Sequence, residues 1–167
     1  MNSTLPDTGL TYRAWLRLPR NSIGSAVFSL AMCVRVPYFG SVLPRVRSMA
    51  PGKCTVTAPK WWGIRNHLGT FHAIAACNLA EAAMGMLAEA TVPTTHRWIP
   101  KEMNVRYLAK ATTSLTAIAE LAELPDFDAI DDYIEDGFDL VVPVSVTDAH
   151  GLEVVHADIT VWISRNR

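Results

Sequence analysis

The first third of this sequence almost lacks acid. From Met1 to Arg65 nine basic residues (Arg13, Arg17, Arg20, Arg35, Arg45, Arg47, Lys53, Lys60 and Arg65) stand against one carboxylate, Asp7, whereas seven acids fall between Asp126 and Asp139. The two ends therefore have opposite polarity although the net charge is only -1. No nucleic-acid motif accompanies the bases, and the acidic half would repel phosphate, which argues against DNA or RNA as a partner. The basic part instead suits the phosphates of an anionic ligand or an anionic membrane surface, with Trp15, Trp61 and Trp62 as interfacial anchors or as packing groups. The acidic run is expected to form a solvated connector before a strand that begins at Phe138.

Other absences narrow the chemistry. Cysteine is scarce and odd in number; Cys33, Cys54 and Cys77 are too widely spaced for a zinc site or a disulfide framework and read as buried free thiols of a reducing compartment. His67, His96, His150 and His156 do not cluster, and neither a nucleophile elbow nor a phosphate-binding glycine loop occurs, so no metal or nucleotide cofactor is expected. No apolar run near the start is long enough to span a bilayer: Ile23 to Val34 is about a dozen residues. Met32 before Cys33 is too large for a lipoprotein cleavage site, so cytoplasmic residence is expected. Repeats and low-complexity tracts are missing too, leaving one compact domain.

What the chain does have is an apolar helix with a charge in its middle. Between Phe71 and Ala88 the side chains are apolar on nearly every face, the mark of a helix surrounded by protein, yet Glu81 interrupts them. A carboxylate in such a place should be paired, hydrogen-bonded or raised in pKa, each a way of preparing an acid or base. Just upstream, Asn66, Gly69, Thr70 and His72 crowd into one loop, with Gly69 permitting an unusual turn and Thr70 a candidate N-cap. The first helical turn offers amides without internal partners at the positive end of the dipole, which suits the oxyanion formed when an ester or thioester carbonyl is attacked. Asn78, three residues before Glu81, is expected to steady that carboxylate or to pair across a helix interface.

His72 and Glu81 are nine residues apart, so on one helix they differ by roughly half a turn and about 13 Å along the axis. They cannot serve one substrate within one subunit. If both act, a second helix must lie antiparallel nearby, and the chemistry calls for a dimer or a dimer of dimers.

Around the helix, strand character recurs at Lys53 to Pro59, Arg97 to Ala111, Ser114 to Leu121, Phe138 to Asp148 and Leu152 to Ser164. The last alternates Val155, Ala157, Ile159, Val161 and Ile163 with His156, Asp158, Thr160 and Trp162, and Asp148-Ala149-His150-Gly151 makes its hairpin turn. An α+β architecture follows, a sheet curled round one long helix. Residues 1–50 read as an extension of short helices (Leu10 to Leu18, Ile23 to Val34) packed on a domain over 51–167.

The set Asn66, Gly69, His72 and Glu81 resembles the signature of hot-dog fold thioesterases of the phenylacetate-pathway and hydroxybenzoyl-CoA type. There an Asn precedes the His by six residues and an acid follows it by nine, acting across a dimer interface. Together with PYFGSVLPRV upstream and PKEMNVRYLAKA downstream, the string is similar to a bacterial branch of that superfamily over roughly residues 35 to 163. The resemblance implies a hot-dog fold, an acyl-CoA substrate without a further cofactor, and catalytic roles for Glu81, His72 and Asn66. His72 is followed by Ala73 and Ile74 where the family often has two glycines, so the carbonyl-binding amide would be that of Ala73, with Gly69 and Thr70 shaping the loop. No Ser stands at Ile99-Pro100-Lys101-Glu102, where some relatives use one to orient water. Two other activities fit the same fold: a hydratase or dehydratase, and an acyl-CoA or lipid carrier without turnover.

Overall fold

The computed structural model describes residues 8–127 and 137–166. Two helices, α1 (Leu10–Arg17) and α2 (Ser22–Arg35), open the chain, and a 3-10 turn over Pro37–Val42 leads into strand β1 (Arg45–Ala50). Then come β2 (Lys53–Ala58), a short 3-10 turn at Trp62–Ile64, the long helix α3 (Ala73–Thr91), β3 (His96–Tyr107), β4 (Leu115–Glu120), β5 (Phe138–Asp148) and β6 (Glu153–Arg165). The strands form one antiparallel sheet in the order β1-β2-β4-β5-β6-β3. After β2 the chain leaves the sheet as α3 and returns at the opposite edge as β3.

That crossover explains the helix. Its length and hydropathy would suit a membrane span, but here α3 lies across the sheet and touches all six strands. Leu79, Ala80, Ala83, Met84 and Leu87 are sealed against Val56, Ala117, Val144 and Ile159 from the strands. With period-two burial in β4, β5 and β6, one sheet face and one helix share a single core. This is the hot-dog arrangement.

Two details differ from the sequence reading. The sheet starts at Arg45, inside the stretch expected to be helical extension: β1 is six residues with two arginines, too short and too charged to show alternation, and it is defined by its pairing with β2. The helix also runs past Ala88 to Thr91, which adds a second acid, Glu89, two turns after Glu81. The expected hairpin at Asp148 is present, with the Asp148 carboxylate accepting from the amides of His150 (2.8 Å) and Leu152 (3.0 Å) and Gly151 at φ 83°. Two prolines sit at the margins of pairing: Pro100 is on edge strand β3 beside a bulge, and Pro143 lies just past the last β4–β5 pair, Ala119 with Val144. Most of the expected acidic connector, residues 128–136, lies outside the described residues.

Candidate functional site

The loop before α3 is built around Asn66. Its Oδ1 accepts from the amides of Leu68 (3.0 Å) and Thr70 (3.1 Å), and its Nδ2 donates to Thr70 Oγ1 at 2.8 Å. Gly69 adopts φ 72° with open space where a Cβ would stand, so backbone conformation and not crowding calls for glycine. Asn66 and Thr70 thus hold each other within the loop. Thr70, expected as the N-cap, is used here; the cap is His72, whose Nδ1 accepts from the Ile74 amide at 3.2 Å. The reason is that the chain stays extended through His72, with Phe71 donating to Ala111 O and His72 to Ile64 O. Capping through Nδ1 puts the imidazole proton on Nε2, which is left facing outward on an exposed ring.

Ala73 is the first helical residue and is exposed. Among the described residues its amide has no acceptor. Beside it, Cys77 Sγ lies 3.1 Å from the hydroxyl of Tyr107 on the edge strand β3. That hydrogen bond, followed by partial burial and by repulsion between the two ionised groups, pushes the Tyr107 phenol up to about 12 and keeps it protonated. Neither residue was singled out by motif, because a Cys in an apolar helix and a Tyr in a strand give no signal until the topology brings them together. Ile74, Tyr107 and Leu108, all exposed, surround this corner with apolar surface.

Glu81 is elsewhere. It is half-buried and not sealed in the core, and among the described residues no side chain pairs with it. The expectation of a water-excluded acid is corrected by the helix's position: α3 has its sealed face on the sheet, whereas Glu81 faces the N-terminal helices. It lines a cavity of about 250 Å³ with Met32, Arg35, Phe39, Glu89 and Trp98. Asn78 does not meet it either. Asn78 Nδ2 donates to Tyr38 O (3.2 Å) and Ser41 Oγ (3.1 Å), tying α3 to the 3-10 turn, while its Oδ1 is buried with no partner among the described residues. Within this one chain, then, Asn66, Gly69, Thr70, His72 and Ala73 form one corner and Glu81 lines a separate cavity. The Trp residues expected as anchors divide: Trp15 packs edge-on against Phe28 and Trp61 against Trp62, and Trp62 is exposed.

Comparisons place this geometry among known structures. A family described as "Domain of unknown function (DUF4442)" matches residues 24–163. A crystal structure from structural genomics, which carries only a target label, is 37% identical and covers 95% of this chain and 100% of its own, with TM-score 0.79. A Pseudomonas aeruginosa protein of unknown function, called a probable thioesterase, is 20% identical over 89% of this chain and 99% of its own (TM-score 0.72). A Haemophilus influenzae thioesterase is 12% identical over 77% and 82% (TM-score 0.64). No curated protein matches by sequence.

Proposed function

Since the chain belongs to the DUF4442 family and has the hot-dog fold, we propose that it is an acyl-CoA thioesterase whose site is completed by a second copy. The observation that carries this is the Ala73 amide, which among the described residues has no acceptor and belongs to an exposed residue at the positive end of a 19-residue helix. Such a donor is preorganised for a carbonyl oxygen that gains charge, and it costs no reorganisation when the charge develops. Names of the more distant fold neighbours point the same way.

In this reading the thioester carbonyl lies over the Ala73 amide, with His72 Nε2–H as a second donor. The Asn66 side chain acts mainly by holding the loop, since its Oδ1 is already committed. Glu81 of the other protomer takes a proton from water as the oxygen attacks, and collapse of the tetrahedral intermediate expels the coenzyme A thiolate, which takes up that proton; if Glu81 attacks the carbonyl itself, loss of the thiolate leaves a mixed anhydride that water then hydrolyses to restore the carboxylate. The exposed apolar corner of Ile74, Tyr107 and Leu108 and the open edge of β3 form the surface on which the copies would meet. Coenzyme A enters only as part of the substrate.

A thiol-release screen over short, long and aromatic acyl-CoAs tests the proposal. Glu81→Gln keeps the shape but cannot take a proton, and turnover of the best substrate should fall about a hundredfold or more. Parental turnover in the variant would make Glu81 structural. Change in conjugation without free thiol would assign hydration or dehydration, and saturable binding without product a carrier.

A further inference from the structure

Helix α2 has one face fastened to the domain and the other bare. Ser25 Oγ donates to Val46 O, Ser29 Oγ accepts from the Val46 amide at 2.9 Å, and Phe28 is buried, so the helix is held firmly on β1. Its outer side presents Ile23, Val27, Leu30 and Val34, spaced four, three and four residues apart, at 73%, 52%, 69% and 75% exposure, and the stripe continues into exposed Tyr38. No charged residue occurs on α2 before Arg35. A row of large apolar side chains on a rigidly docked helix needs an occupant.

Charge identifies it. Arg20, just before the Asn21 cap, and Arg35, the last residue of α2, are exposed at the two ends of the stripe and have no partner among the described residues. A second cavity, of about 470 Å³, opens at the Arg20 end, where Arg47 joins Arg20 and Lys53 is paired with Glu120 at 2.7 Å. Between Asp7 and Glu81 the sequence contains no carboxylate at all. A two-fold contact between copies of this face with the helices antiparallel would set Arg20 against Arg35 with no acid on α2 to offset them; Glu81 and Glu89 line the cavity beside Arg35, but among the described residues neither forms an ion pair with it. A lipid surface has no such conflict: phosphates meet the arginines at both ends, apolar side chains enter the acyl boundary, and Tyr38 sits at headgroup level.

We propose that α2 is the docking face of this protein for an anionic phospholipid bilayer. The docking uses neither the helix start of α3 nor Glu81; Arg35 lines the Glu81 cavity, so the stripe variants, which lie outside that cavity, separate the docking from the thioesterase reading. Co-sedimentation of the full chain with phosphatidylcholine–phosphatidylglycerol vesicles tests it. The protein should partition to these vesicles, bind pure phosphatidylcholine about tenfold or more weakly, and be released as salt rises from about 0.1 M to about 0.5 M. The double variant Leu30→Glu/Val34→Glu should lose binding at least about tenfold. Leu30→Ser/Val34→Ser should weaken it in the same direction, with thermal unfolding unchanged because both positions are exposed. Removing both arginines, Arg20→Ala/Arg35→Ala, should weaken binding and flatten its salt dependence. Failure of the parent to sediment with anionic vesicles, or equal sedimentation of folded stripe variants, overturns the proposal. So does a drop in solution molar mass without vesicles when the stripe is mutated, which would assign the face to a second copy.

Discussion

Cys77 and Tyr107 show how much of the candidate site depends on single contacts. The phenol is held up to about 12 mainly by its hydrogen bond to the thiol. Cys77→Ala should therefore bring one tyrosine ionisation back toward its ordinary range near 10, visible as an earlier phenolate step in an ultraviolet pH titration; an unchanged curve would place the phenol's partner elsewhere. Gly69 is a second such residue. Its φ of 72° lies in open space, so Gly69→Ala should cost about 1–2 kcal/mol through backbone conformation alone, measured by urea unfolding. The loop's glycine and asparagine were legible from sequence because each has a local reason to be there. Helix capping is the ordinary reading of a lone histidine at His72, but that it and not Thr70 caps α3 was not legible, since this depends on the Ile64 and Ala111 carbonyls holding the chain extended.

Among the elements, α3 could be read in advance because an apolar run on every face admits few other structures. What the run did not disclose is which side faced the sheet, and that side decides how wet Glu81 is. Asn78 marks the same boundary: both its amide hydrogens are used on the 3-10 turn over Pro37–Val42. Asn78→Ala should lose about 1–3 kcal/mol by removing those bonds, read from chemical denaturation. Strands β5 and β6 were legible by alternation, whereas β1 is defined only by pairing with β2. In β2, Cys54 is sealed, and burial pushes its thiol up to about 12 from an ordinary 9.0. Between those values the unfolded chain releases a proton that the folded chain keeps, so stability should fall as pH rises above about 9. Cys54→Ala should show a shallower alkaline loss in urea titrations than the parent, and equal slopes would mean another group dominates.

At the scale of the molecule, the proposed thioesterase site is divided within one chain. The start of α3, proposed to bind the carbonyl, and the carboxylate of Glu81 occupy different places on the same helix, and the proposal needs an antiparallel second copy to bring them together. The sequence already carried that constraint in the nine-residue spacing, but not the surface that would satisfy it. The strand order leaves the β3 edge open beside exposed Ile74 and Tyr107, and this is the surface proposed for the contact. Subunit complementation tests the shared site most directly. Ala73→Pro removes the amide at a position that already lacks an acceptor, after a residue whose ψ of 136° accommodates a following proline. Glu81→Gln removes the base, and each variant alone should be about a hundredfold or more slower. After unfolding and refolding as an equal mixture, mixed dimers carry one intact site, and thiol release should recover to about a quarter of the parental rate. Recovery to that level supports a site shared between copies, whereas a mixture as inactive as its two components contradicts it.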